Sequence, residues 1–247
     1  MIYILLGAGS GTRMGALTSD RAKIMVDIAG RPILAHNLDH IQAVDGGAEI
    51  LVISGYAAST VDAVVHGGPW TGVRTVRNPD FATAGPLRSI EVALNQLAGT
   101  AGAITIGNGD TIFEPAALRA LAGVDRPAAL LASMPTEPDA DDVQLRIETG
   151  RIAQAAKRID AAGTVPISAG LLQLRGAEAI AVFGRAVRVG LAEERRSGTL
   201  RTWHSALADL GALAPEPVFV PRESWSEFDS QANVARYAAT REDRRAS

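Results

Sequence analysis

Short apolar runs alternate with stretches of helical spacing through the first half of the chain. Ile2–Leu6 is an apolar run closed by Gly7, the pattern of a buried strand; Glu49–Ser54, Val73–Val76, Ala103–Ile106 and Ala128–Ser133 repeat it. Between these runs, apolar residues recur at intervals of three and four. Ile33, Leu34, Leu38 and Ile41 mark a helix over Pro32–Val44 with proline in its first turn, and Ile90, Ala93, Leu94 and Leu97 mark one over Ser89–Leu97. Ala57–Val65 and Pro115–Leu121 also read as helices. This alternation predicts an α/β fold, a Rossmann-like three-layer α/β/α arrangement around a mostly parallel sheet.

The second half is less regular. Val143–Ile147 and Ile152–Ala156 flank Thr149-Gly150, which predicts a hairpin. Leu171–Leu174 and Val218–Val220 read as strands; Ala177–Val189, Thr202–Leu210 and Ser230–Ala239 read as helices, and charged Arg241–Ser247 as a frayed end. With no repeat, low-complexity segment or linker, the expectation is one domain over 1–247. Its regular half spans about 1–133 and an elaborated part about 134–240.

Composition narrows the function. The 24 Lys and Arg against 27 Asp and Glu leave a net charge of −3, without the basic surplus that nucleic-acid binding needs. The absence of Cys excludes thiolate catalysis and thiolate metal sites, and the four His (His36, His40, His66, His204) lack zinc spacing. No apolar run reaches the roughly 20 residues that span a bilayer. Met1–Leu6 is too short for a secretory signal core, so a cytoplasmic protein without membrane contacts is expected, with homo-oligomerisation left open.

The sharpest feature is the loop Leu6-Gly7-Ala8-Gly9-Ser10-Gly11-Thr12-Arg13-Met14 directly after the first strand. Closely spaced glycines let backbone N–H groups converge on a phosphate, Arg13 adds a fixed charge, and Lys23 lies within reach of the same phosphates. Three other readings stand beside this one. A P-loop fails for want of Gly-Lys-Ser/Thr. A dinucleotide fingerprint has Gly7, Gly9 and, 20 residues after Gly7, Asp27, but Thr12 breaks the motif and Gly11–Asp20 makes a poor crossover helix. A purely structural glycine turn is the third. Downstream, Asp110 follows an apolar strand, where open α/β sheets bind ligands, and glycines on both sides of Asn108 permit close approach of a nucleotide. Asp110 and Asp229 each also precede helical stretches and would serve as caps.

The loop and Lys23 resemble the Leu-Ala-Ala-Gly-x-Gly-Thr-Arg-(Met/Leu)…Pro-Lys motif of the MobA-like, sugar-nucleotidyltransferase superfamily, with Gly7 for the first alanine and Ala22 for the proline. Asn78-Pro-Asp-Phe-Ala-Thr-Ala-Gly85 with Ser89-Ile-Glu-Val92, and Trp225-Ser-Glu-Phe-Asp229, resemble segments of 2-aminoethylphosphonate cytidylyltransferases. Leu131–Ser133, Asp142-Val143 and Lys157–Asp160 also have counterparts there, and phosphocholine and inositol-phosphate cytidylyltransferases share the outline.

The resemblance implies a nucleotide-diphospho-sugar transferase type of fold and Mg²⁺-dependent transfer of CMP from CTP, or of a nucleotidyl group from another NTP, with release of pyrophosphate. It implies that Asp110 and Asp229 bind Mg²⁺, that Lys157 holds the acceptor phosphate, and that Gly55 and Thr83-Ala84-Gly85 line a cytosine pocket. Arg13 and Lys23 fall to the triphosphate.

The acceptor-side candidates are Arg88, Asp142 and Trp225. Arg88 reads either as a surface residue or as a reader of an anionic acceptor. Asp139, Asp141 and Asp142 read either as a solvated loop or as partners for a primary amine. Aromatics are scarce, with Phe81, Trp203 and Trp225 the candidates for a quaternary-ammonium cage. A small phosphonate or phosphate monoester is the expected acceptor. A sugar- or inositol-phosphate nucleotidyltransferase and a non-catalytic nucleotide-binding relative are the alternatives.

Overall fold

Strand β1 (Ile2–Leu6) shows how the sequence builds the layers: Ile4 packs into one core, Tyr3 and Leu5 into the other. Alternate side chains leave opposite faces of a strand, so a strand apolar on both faces demands cover on both. The computed structural model describes residues 1–135, 139–160 and 163–237. After β1 and two 3₁₀ turns at Thr12–Thr18 and Lys23–Met25 come the small ribbon β2 (Asp27–Ile28) and β3 (Arg31–Pro32), then α1 (Ile33–Val44), β4 (Glu49–Ser54), α2 (Ala58–Gly67) and β5 (Val73–Arg77). Next are α3 (Pro86–Gln96), β6 (Ala103–Asn108), β7 (Thr111–Phe113), α4 (Pro115–Ala122) and β8 (Ala128–Ser133). The hairpin β9 (Gln144–Glu148) and β10 (Arg151–Ala156) turns at Thr149-Gly150, both with positive φ as a type I′ turn requires. β11 (Ile167–Arg175), α5 (Gly176–Ser197), a 3₁₀ stretch at Trp203–Leu213, β12 (Glu216–Phe219), a 3₁₀ turn at Arg222–Ser224 and β13 (Trp225–Glu227) complete the order. Residues 231–237 are helical, and the rest of the expected final helix and charged end lies outside the described residues.

The nine-stranded sheet runs β10-β9-β11-β6-β1-β4-β5, with β8 on β11 and β12 on β8. β5, β4, β1 and β6 are parallel, β12 is parallel to β8, and β11 runs against β6 and β8. Helices α1, α2 and α4 cover one face through Leu34, Leu38, Val61 and Leu118; α3, α5 and the Trp203–Leu213 stretch cover the other through Ile90, Phe183 and Leu207. This is the expected three-layer arrangement with a largely parallel centre.

The differences from the sequence reading lie at element ends and in four short strands it did not predict, β2, β3, β7 and β13. Helix α5 runs on to Ser197, eight residues past the apolar face seen in the sequence, because buried Leu191 and Glu194 continue it and Gly198 closes it with a left-handed cap. Thr202–Leu210 winds as 3₁₀ rather than α. A third core of Met14, Val26, Ile28, Ile33, Ile112 and Phe228 ties β7, β13 and the loop after β1 together beside the sheet. Among the described residues no helix is long and apolar enough to cross a membrane.

Candidate active site

The parallel strands end at one edge: Leu6 of β1 pairs in register with Asn108 of β6 and Ile53 of β4. In open α/β sheets the crevice beyond such strand ends is where ligands bind. A cleft of about 350 Å³ opens there, and Leu6, Ala8 and Gly9 form part of its wall. Ser10 and Thr12 line an adjoining hollow with Thr18 and Tyr56. Gly7 is tied to β4 by its N–H on Ile53 O at 2.9 Å. Gly11 has φ +66°, and a Cβ there would stand 2.9 Å from Cβ and Cγ of Lys23, so glycine lets Lys23 pass beside the loop.

Lys23 Nζ donates to Asp110 Oδ2 at 2.6 Å and Asp229 Oδ1 at 2.5 Å. Burial disfavours its charge, but the two carboxylates outweigh burial and raise its pKa above the ordinary value. Arg13 bonds Asp229 Oδ1 at 2.8 Å and also Asp141, and Lys157 Nζ reaches Asp141 Oδ1 at 2.5 Å. Arg13 and Lys157 thus line the cleft, and Lys23 pairs with two of its carboxylates. Neither aspartate acts as a cap. Asp110 is occupied by Lys23, and the hydroxyl and N–H of Ser230, not the Asp229 side chain, pair with Asn233 at the start of the 231–237 helix.

A third carboxylate joins them. β13 pairs antiparallel with β7 so that Glu227 stands opposite Thr111, and Phe228 N–H bonds Asp110 O at 2.9 Å. One oxygen each of Asp110, Glu227 and Asp229 lies within 4.8 Å of the others. Three hard oxygen donors beside a cleft fit a divalent cation such as Mg²⁺, which takes carboxylates together with phosphate oxygens. Burial, then Asp110 and Asp229, push the Glu227 carboxyl up to about 8. Sequence reasoning passed over Glu227, although it stands two residues before Asp229 in Trp225–Asp229, where strand alternation puts both on one side.

That shift has a measurable consequence. The unfolded glutamate ionises from its ordinary value of 4.5 upward while the folded one keeps its proton to about 8. The folded state then binds more protons than the unfolded one, so stability falls as pH rises through this window. Glu227→Gln is expected to flatten the decline between pH 5 and 8.5, read as thermal unfolding midpoints in EDTA. Equal slopes in variant and parent would show that Glu227 ionises normally.

Several residues named from sequence stand elsewhere. Arg88 on α3 bonds Asp80 at 2.7 Å and Glu91 at 2.5 Å and is not among the residues that line the cleft. Trp225 is buried, its indole N–H on Ser133 Oγ at 2.9 Å and Arg222 stacked on its ring, so it is a core support rather than a wall. Asp142 is buried and accepts the Asp139 N–H at 2.8 Å, with burial raising its pKa, while its neighbour Asp141 faces the cleft. Gly55 backs the wall: a Cβ there would fall 2.5 Å from Phe81 Cβ and 2.7 Å from Ala8 O. Thr83 is exposed and outside the cleft, whereas Ala84, Gly85 and Asn108 line it. Asn108 Oδ1 accepts the indole N–H of Trp203 at 2.8 Å, and Trp203 and Phe81 are the aromatics of the wall. Asp27 sits in β2 with its carboxylate accepting Gly30 N–H of the β2–β3 turn, and no crossover helix follows the loop, which closes the dinucleotide reading.

A family model described as the MobA-like NTP transferase domain matches residues 3–228. A protein of Streptomyces rubellomurinus named CMP-5'-(3-aminopropyl)phosphonate synthase is 37% identical over 142 residues, covering 57% of this chain and 22% of that protein. A bifunctional protein GlmU of Sphingopyxis alaskensis is 30% identical over 205 residues, covering 77% and 42%. This chain therefore spans less than half the length of either curated relative. The fold matches the CTP:phosphocholine cytidylyltransferase of Streptococcus pneumoniae with a TM-score of 0.73 at 18% identity over 97% of this chain and 98% of that one. It also matches the inositol-1-phosphate CTP transferase of T. maritima with a TM-score of 0.75 at 16% identity, over 96% and 94%.

Proposed function

We propose that this chain, which belongs to the MobA-like NTP transferase family, transfers CMP from CTP to an oxygen of a small phosphonate or phosphate monoester and releases pyrophosphate. The observation that carries the reading is the meeting of Arg13 and Lys157 with Asp110, Glu227 and Asp229 on one cleft beside a glycine-rich loop, with Lys23 paired to both aspartates. The likeness to a relative named as a CMP-phosphonate synthase supports the choice of base and acceptor.

The acceptor oxygen is anionic at neutral pH and attacks the α-phosphorus directly, so no protein nucleophile is needed. The work of the protein is to gather mutually repelling anions and align them, which supplies roughly 7–11 kcal/mol of barrier reduction when the geometry is tight. The backbone of Leu6–Thr12, Arg13 and Lys23 bind the triphosphate, and Lys157 holds the acceptor phosphate. Ala84, Gly85 and Asn108 flank the base. Asp110, Glu227 and Asp229 would hold Mg²⁺, which when bound neutralises phosphate charge and orients the reacting groups.

A likeness to a Haloferax volcanii protein named UTP--glucose-1-phosphate uridylyltransferase, 51% identical over 53 residues and 22% of this chain, favours a sugar 1-phosphate acceptor as the second reading. One assay separates the two: each of CTP, UTP, ATP and GTP with Mg²⁺ and a panel of 2-aminoethylphosphonate, 2-hydroxyethylphosphonate, phosphocholine and glucose 1-phosphate, with pyrophosphate measured. CTP with a phosphonate is the expected pair. Preference for glucose 1-phosphate would refute the phosphonate reading, and no pyrophosphate from any pair would refute nucleotidyl transfer.

A further inference from the structure

We propose that Asn108 is the residue that separates CTP from UTP, by donating from its carboxamide nitrogen to ring N3 of the base, and that Trp203 is the positioning residue that holds the carboxamide this way round. This rests on the cytidylyl-transfer reading above and adds to it the side chains that select the base.

An asparagine carboxamide donates at one end and accepts at the other, so it selects between ligands only when one end is fixed. The fixing partner here has a single role. The indole N–H of Trp203 is a donor alone, and it bonds Asn108 at 2.8 Å, so the atom that receives it is Oδ1. The end left over is Nδ2 with its two hydrogens. No described residue accepts from it, and Asn108 is half-buried in the cleft wall beside Ala84 and Gly85.

Several segments build this arrangement. Gly170 on β11 has φ +75°, and a Cβ there would stand 2.4 Å from Asn108 Nδ2, so glycine leaves the room in which the amide lies. The Gly170 N–H bonds Ser168 Oγ at 3.0 Å, and Ser168 Oγ pairs with His204 Nε2 at 2.9 Å. Ser168 already accepts from Gly170, so its own hydrogen goes to Nε2. The His204 ring stacks on Trp203 with centroids 3.8 Å apart, and burial pushes its pKa down to about 3, so the ring stays neutral. Trp203 is 2% exposed, which leaves little of its face for a ligand; its contribution to the cleft is the aim of Asn108.

Which end of the carboxamide faces the ligand matters only for a ligand whose own donors and acceptors are fixed. A ribose hydroxyl pairs with either end. A phosphate oxygen only accepts and would turn a free carboxamide unaided. The edge of a base is different: ring N3 accepts in cytosine and carries a hydrogen in uracil, while O2 accepts in both. A donor held against N3 attracts cytosine and opposes uracil, so one contact supplies both the attraction and the repulsion that selection needs.

The test compares bases at constant acceptor. With Mg²⁺ and the best acceptor of the panel above saturating, kcat/KM is measured for CTP and UTP. The parent is expected to prefer CTP roughly 10-fold or more. Asn108→Leu removes the donor, and Trp203→Phe removes the indole N–H while keeping a ring against His204. Both should bring the CTP:UTP ratio to within about 3-fold of unity. A merely structural Asn108 would lower CTP and UTP alike and keep the ratio, and that result overturns the proposal, as does a parent that uses both equally. An unchanged ratio in Trp203→Phe, or in Ser168→Ala should Trp203→Phe not fold, refutes the positioning role. Isothermal titration of CTP and UTP with Mg²⁺ and no acceptor reads the base without turnover. Equal affinities refute the Asn108 assignment whatever the reaction. CTP-selective binding, lost in Asn108→Leu, without pyrophosphate release from any pair keeps the assignment and refutes the transfer reading instead.

Discussion

Asp110→Asn and Asp229→Asn are each expected to lower turnover by about 10²- to 10³-fold or more, with little change in the unfolding midpoint. The catalytic loss follows from position. Both carboxylates line the cleft at the strand-end edge to which the triphosphate is assigned in our proposal, and with Glu227 they form the acidic cluster suited to a divalent ion. The small change in stability follows from crowding. Glu227 holds its proton to about 8 partly because Asp110 and Asp229 repel its charge, so removing either charge relieves repulsion. Lys23 keeps one carboxylate partner in either variant. Asparagine preserves volume and leaves β7 and β13 paired through their backbones. Steady-state rates over a Mg²⁺ titration, with Mn²⁺ binding measured in parallel, read the effect. Near-normal rates in both variants with EDTA present would remove the metal from the reaction and the aspartates from the metal.

The centre of the fold is legible in the sequence because the hydrophobic pattern there is local. Ala128–Ser133 has the bounds the pattern predicts, and the helix starting near Pro32 begins one residue later, at Ile33. A strand buried on both faces or a helix with one apolar stripe announces itself within its own length. What escaped is held together by distant partners. β7 and β13 have three residues each, too few to show a period, and they exist because each supplies the other's hydrogen bonds over Met14, Ile112 and Phe228. Glu227 became a site residue only through that pairing. Asp141 and Asp142 show the same limit at finer scale. Nothing in Asp-Ala-Asp-Asp says which carboxylate fastens the turn and which faces the cleft; the bond from Asp139 N–H decides it. Arg88 is carried by a helix whose buried face points at α5, which leaves its guanidinium with Asp80 and Glu91. The glycine-rich loop was readable because its chemistry is contiguous: Leu6 to Arg13 come from one segment, and only Lys23 folds back beside it, where Gly11 leaves room.

Lys23 and Lys157 are expected to separate the two substrates kinetically. Lys23 lies between Asp110 and Asp229 against the glycine-rich loop, so Lys23→Ala should lower kcat/KM for CTP by about 10- to 100-fold, the worth of a charge-assisted contact of roughly 1.5–3 kcal/mol. The acceptor KM should move little. Lys157, half-exposed and paired with Asp141 in the cleft lining, should show the reverse. Lys23→Ala has a second signature that a simple loss of binding lacks. Its ammonium neutralises the acidic cluster at short range, so its removal leaves those carboxylates with more uncompensated charge. Divalent-ion affinity measured without nucleotide should therefore rise in Lys23→Ala while CTP use falls, and it should stay unchanged in Lys157→Ala. Equal effects of the two substitutions on both Michaelis constants, with no change in metal affinity, would mean that neither lysine has the partner assigned to it.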